Sequence, residues 1–183
     1  MADTTLNYPP FPILRWDDFF WVGEIHLPTW TKFTSGKSSR TEEHATHLSV
    51  SSIDSDNLAQ PLTEQVAAFE HLLTNETQVV GAVIDALIEY CPGDAYDGDE
   101  ERFLNVQTRA QLRPLVRLSS VHVLDVFKDK IACVGFQFRC DWDEEHGAGV
   151  MTHKGRVIAT GQADCSFTQW IARQCLEKRN RRA

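Results

Sequence analysis

Val134, Phe136, Phe138, Cys140 and Trp142 alternate without a break against Gly135, Gln137, Arg139 and Asp141. Successive side chains of an extended strand point to opposite faces, so this run fits a strand with one core face and one polar face. Ser120 to Phe127 reads as a second strand, with Lys128-Asp-Lys130 as the turn between the two. Val150–Thr152 and Arg156–Thr160 flank His153-Lys-Gly155 in the same way. The C-terminal half is therefore expected to be sheet built from hairpins.

Upstream, Phe19, Trp21, Ile25 and Leu27 share one parity, with Phe20, Val22, Glu24 and His26 on the other. That period again argues strand, ended by Pro28, which has no N–H for a ladder. His47 to Ile53 reads as a short strand between polar loops at 34–43 and 54–60. The period then changes. Leu62, Val66, Phe69 and Leu73 lie on one helical face, with Thr63 as the expected N-cap. Val80, Val83, Ile84, Leu87 and Cys91 lie on a second, capped by Asn75 and stopped by Pro92-Gly93. Residues 92–105 read as an acidic loop, and Thr108-Arg-Ala-Gln111 has the form of a capping box. Phe167 to Lys178 is expected as a final helix with Trp170, Ile171, Cys175 and Leu176 inward. Helices segregated from hairpins predict an α+β fold: an antiparallel, hairpin-rich sheet with two or three helices packed on it. At 183 residues one domain over 1–183 is expected, with 1–10 as an ordered edge or loose arm and 179–183 as a basic tail.

The net charge is −8, and the end from Glu177 is basic, so the rest is more acidic still. That balance opposes nucleic acid, whose affinity comes from Lys and Arg on phosphates, and suits a basic partner. The longest apolar run, Val79 to Ile84, is too short to span a bilayer, so no membrane role is expected. The chain opens Met1-Ala-Asp-Thr-Thr, with no basic stretch leading into an apolar one, and its five cysteines form no C-x-x-C. A reducing cytoplasm is expected, with the thiols serving as small apolar groups. Cys140 belongs to the apolar parity and predicts a buried, unreactive thiol, whereas Cys133 shares the polar parity and is expected to be less buried.

One segment concentrates chemistry. Asp141, Trp142, Asp143, Glu144, Glu145 and His146, followed by Gly147, place four carboxylates, an imidazole and an indole together at the end of the best strand. Clustered carboxylates raise one another's pKa, and an imidazole exchanges protons near neutrality. Glu144, Glu145 and His146 are thus the candidate acid/base groups. Asp141, Asp143, Glu144, Glu145 and His146 form the candidate binding surface, with Trp142 and Gly147 as structural members. The bland alternative is a turn leaving the sheet, with Trp142 inward, Asp141 outward and Gly147 supplying a positive φ. Other candidates are weaker. Asp94 to Glu101 fails as an EF-hand, because Gly98 as sixth residue puts Gly93, Ala95 and Leu104 at ligand positions. His44 and His47 lack a third ligand, and His122 reads as a structural histidine facing Gln137, Arg139 or Asp141. Nucleotide-cradling loops and a G-x-S-x-G are absent, so no cofactor and no metal is expected.

The stretch Val134 to Val150, with Trp142-Asp-Glu-Glu-His-Gly147 at its centre, then His153, Val157 and Gly161-Gln-Ala-Asp164, resembles a bacterial family of unknown function. That family carries a W-D-E-E-H-G-L-G-V signature and a later G-x-A-D; Ala148 departs from it at the Leu position. The resemblance extends to Leu62–Leu73 and Leu112–Val123. It implies no activity, and its small α+β style is similar to that of immunity proteins of toxin systems. The expected function is a protein-interaction domain, immunity-like, with an acidic surface for a basic protein. The alternatives are a hydrolase using Glu144 or Glu145 with His146 for acid/base or metal-assisted chemistry, and a homo-oligomer joined through its aromatic N-terminal half.

Overall fold

The computed structural model describes residues 4–31, 33, 45–53, 58–92, 94–97, 100–103 and 105–180. In chain order its strands are β1 (Thr5–Leu6), β2 (Leu14–Asp17), β3 (Phe20–Ile25), β4 (Thr46–Ser51), β5 (Asp94–Asp97), β6 (Glu100–Phe103), β7 (Val116–Lys128), β8 (Ile131–Cys140), β9 (Asp143–His153) and β10 (Arg156–Gly161). Its helices are α1 (Thr63–Thr74), α2 (Glu76–Tyr90), α3 (Arg109–Leu112) and α4 (Gln169–Asn180), with single 3-10 turns at Pro28–Trp30 and Ala163–Ser166. Eight strands form one sheet in the order β1-β2-β3-β4-β7-β8-β9-β10, and β5 pairs with β6 apart from it. The fold is α+β with a mostly antiparallel sheet, as expected, but larger than a few hairpins. One pair, β4 with β7, is parallel. The helices between these strands return the chain to the end of the sheet where β4 began, which is what a parallel neighbour requires.

The first core lies under α1 and α2. Trp21, Leu48, Val50, Val121, Val123, Phe136, Phe138 and Val150 meet Phe69, Leu72, Val80, Val83 and Leu87, all buried. The α2 face is as expected. The α1 face is rotated: Leu73 is exposed, while Gln65, Ala68, Phe69 and Leu72 are buried. Gln65 turns inward because its Nε2 donates to the carbonyls of Ser51, at 2.8 Å, and Val123, at 3.1 Å, tying the helix to both parallel strands. The same side chain accepts from Leu62 N at 2.8 Å, so Leu62 rather than Thr63 is the N-cap. Asn75 joins the two helices: it is the N-cap residue of α2, as expected, but its side chain makes no cap bond there, and its Nδ2 donates instead to the carbonyl of His71 at the end of α1, at 3.0 Å.

The other face of the sheet is also covered. Leu124, Val126, Cys133 and Met151 pack with Ala172 and Leu176 of α4 in a second core. Two expectations are corrected here. Cys133 is fully buried, because α4 lies over what reads as the polar face. Trp170 is 62% exposed and Ala172 takes the inward position with Leu176. Within the acidic stretch, Asp94–Asp97 and Glu100–Phe103 are strands rather than loop, while Gly93, Gly98 and Leu104 lie outside the described residues. The polar loop at 34–43, His44 and the tail residues 181–183 also lie outside them. Thr5 and Leu6 pair with β2 at the sheet edge. No helix among the described residues is long and apolar enough to cross a membrane.

Candidate functional site

The central strand ends earlier than its alternation suggests. β8 stops at Cys140, Asp141 and Trp142 form the turn, and Asp143 already begins β9. Trp142 is thus a half-buried turn residue packed against the first core, not the last inward residue of the strand. Asp143 to Gly147, expected as the exit from the sheet, is instead the start of its next strand. The cause is a bulge. Phe138 pairs with Ala148 and Cys140 with Asp143, so two steps along β8 face five along β9. Glu144, Glu145 and His146 are pushed outward as the excess and are exposed.

Two residues hold that bulge. Asp143 Oδ1 accepts the backbone N–H of His146 at 2.9 Å and the ring Nδ1–H of His146 at 3.0 Å. A carboxylate only accepts, so the Nδ1 proton is fixed by this pair. Gly147 re-enters the ladder at φ 63, and a Cβ there would collide with the Phe138 carbonyl. Burial alone would raise the Asp143 carboxyl. The two His146 bonds, the His146 charge and a bond from the Gln162 side chain outweigh it and hold Asp143 below the ordinary carboxylate value.

The Gln162 contact connects the bulge to the later Gly-x-Ala-Asp motif. After β10 the chain turns through Ala163–Ser166 and lies directly on the sheet. A Cβ on Gly135 would overlap the Ser166 backbone, and one on Gly149 would stand 2.5 Å from Gln162 O and 2.8 Å from Ala163 O. Only hydrogen at those positions lets backbone rest on backbone. Ser166 Oγ, wholly buried, donates to Ala163 O at 2.6 Å and closes the turn. The two separated motifs are therefore one structural unit.

Tyr90, at the end of α2, reaches this unit. Burial, then Asp143, Cys140, Cys165 and Asp164, push its hydroxyl above the ordinary phenol value. Sequence reasoning missed Tyr90 and Gln162: Tyr90 lies outside every motif, and Gln162 is the variable position of Gly-x-Ala-Asp. The remaining candidates are placed as follows. Burial pushes the Cys140 thiol up to about 12, as its parity predicts, and Cys133 also to about 12. His122 Nε2 meets Gln137 Oε1 at 3.0 Å and its ring contacts Phe167 edge-on, which is the structural histidine expected. His47 stands across from Glu24 and Ser120 in the ladder. Among the described residues no three His, Cys, Asp or Glu side chains are grouped to hold a metal ion.

Residues 21–167 match the model of a domain of unknown function, DUF6985, which includes the bulge and the turn seated beside it; the chain belongs to that family. No curated protein matches the chain, and no solved structure does.

Proposed function

We propose that this member of the family is a protein-interaction domain that presents Glu144, Glu145 and His146 to a basic protein. The observation that carries the reading is the division of labour within the bulge. Asp143 is committed to the backbone and ring of His146, and Gly147 to the ladder, so the fold sets an exposed, negatively charged loop at the end of the sheet. A chain of net charge −8 favours approach of a cationic surface over long range. The immunity-like form of this proposal makes that partner a basic toxin domain; the small α+β build supports it by analogy. The test is affinity capture of neighbouring basic proteins, followed by titration against the Glu144→Lys plus Glu145→Lys double variant. Complex formation should fall at least ten-fold with the fold intact by circular dichroism, and affinity unchanged in that variant would refute the surface.

A second reading, a hydrolase, has one observation in its favour. Asp143 orients the His146 imidazole through Nδ1, an arrangement that serves a general base acting through Nε2. It departs from the expected pairing of His146 with Glu144 or Glu145. Turnover of a panel of chromogenic esters and phosphoesters, abolished by His146→Ala, would support it; equal rates in the two proteins would end it.

A further inference from the structure

The second core takes only part of its face of the sheet. Its residues on β7 are Leu124 and Val126, so the earlier part of that strand lies outside it. Cys133 faces α4, and Gly135, Gln137 and Arg139 follow it at period two on the same face. The register sets His122 opposite Gly135, Ser120 opposite Gln137 and Arg117 opposite Arg139. The irregularity between Leu118 and Ser120 absorbs Ser119, so Leu118 stays with Phe138 on the first face. β4 continues this floor, with Ser49 beside His122 and the exposed His47 beside Ser120. At one end the Phe167 ring meets the His122 ring edge-on, with centroids 5.3 Å apart, and Phe167 is 45% exposed.

Three features of this strip point to a ligand. Arg117 and Arg139 are directly opposed in an antiparallel pair, where like charges repel, and two guanidinium forks side by side suit a phosphate. At the other end, Phe167 offers a stacking platform for a planar ring. Between the two lies a polar floor whose hydrogen-bonding sense is set. Burial keeps the His122 ring neutral. Gln137 Oε1 only accepts, so its contact with His122 Nε2 at 3.0 Å fixes the proton there and leaves Nδ1 as an acceptor. The Gln137 amide N–H and the Ser120 hydroxyl supply donors. From Arg139 to Gly135 is about 13 Å by strand rise, so anion site and ring platform stand one nucleotide's span apart. The carboxylates nearest along these strands are Glu24, opposite His47, and Asp141, two residues past Arg139 with the acidic bulge beyond it. Neither falls between the arginines and Phe167.

We propose that this strip binds a nucleoside monophosphate: the arginine pair takes the phosphate, Ser120 and Gln137 the ribose hydroxyls, and Phe167 with His122 Nδ1 the base. Nδ1 as an acceptor selects a base with an exocyclic amino group, such as adenine. A sheet floor holds its ligand without a glycine-rich loop, which is why no such loop marks the site in the sequence. None of these residues belongs to the acidic bulge, so the site stands apart from the interaction surface.

Isothermal titration of the full chain with adenosine monophosphate, adenosine and inorganic phosphate tests it. The net charge of −8 works against an anion at long range, so the expected dissociation constant for the nucleotide is modest, on the order of 100 µM. Adenosine and phosphate should each bind at least ten-fold more weakly, because each engages one end of the strip. Arg139→Ser should weaken the nucleotide roughly ten-fold and leave adenosine unchanged, while Phe167→Ser should weaken both. Arg139 is exposed, so its variant reports on binding even where the Phe167 variant loses its circular dichroism spectrum. No binding of the nucleotide at about 1 mM overturns the proposal, as does nucleotide binding indifferent to Arg139→Ser. Phosphate binding as tightly as the nucleotide overturns it too, since the aromatic end would then contribute nothing.

Discussion

Asp143 and Glu145 are both acidic members of one short segment, yet the structure asks different things of them. Asp143 satisfies a backbone N–H and orients a ring, whereas Glu145 is exposed on the bulge. Asp143→Ala should therefore cost about 1–2 kcal/mol, comparable to loss of a helix cap, while Glu145→Ala should stay within about 0.5 kcal/mol. Urea denaturation of the two variants decides this, and equal losses would show that the bulge is not held by Asp143. Gly135 makes a sharper case. Because a methyl group there overlaps the backbone of Ser166, the turn must lift from the sheet, and Gly135→Ala should destabilise by about 3 kcal/mol or more. A melting temperature within a degree or two of wild type would mean that the turn is free to move. Loss of the Asp143 interaction should also appear in acid. Its carboxyl lies below the ordinary value, so its contribution is complete above about pH 4 and is lost as the pH falls through the folded-state pKa.

Between β7, β8 and the start of α4, His122 supplies a pH dependence of its own. Burial holds its imidazole below the ordinary range, partly opposed by the Gln137 bond, with His47 adding in the same direction as burial. The folded protein thus favours the neutral ring, and below about pH 6.5 the unfolded chain binds the extra proton. Stability from this group is complete above that pH and declines as the pH falls, by up to about 1.4 kcal/mol per unit. His122→Gln should flatten the stability profile between pH 5 and 7; an unchanged slope would assign the dependence to another group. This element also shows what the chain's pattern discloses. The β7–β8 hairpin, the α2 face and the His122–Gln137 contact are legible because each depends on local periodicity. The bulge is not, because Asp143-Glu-Glu-His breaks the alternation without a proline or an Asn-Gly to announce a new pairing register. Nor is α4's cover over Cys133, since a strand facing two cores carries glycines and a cysteine where backbone or helix comes close, and these look polar in a period-two reading. The inward Gln65 is hidden for a related reason: it is buried for hydrogen bonds to two strands, and no spacing rule selects a polar residue for that.

Seen as a whole molecule, one sheet carries two cores, and strands β7, β8 and β9 contribute to both. Phe136, Val121 and Val150 face α1 and α2, while Leu124, Cys133 and Met151 face α4. Detaching α4 together with the Ala163–Ser166 turn that leads into it would uncover a backbone floor at Gly135 and Gly149 as well as apolar side chains; the second core has no sheet to pack on without the first, and the sheet loses one wall if the second goes. The two faces should therefore unfold together. They carry separate reporters. Trp21 and Trp30 are buried in the first core, and the thiols of Cys133 and Cys165 are shielded on the other face, where burial pushes them up to about 12 and about 11. Tryptophan fluorescence and the onset of thiol labelling should shift at the same urea concentration, with a shared midpoint. Labelling of Cys133 and Cys165 at clearly lower urea would instead show that α4 and its glycine-seated turn open as a separate unit, and that the acidic bulge, joined to that turn through Gln162, opens with them.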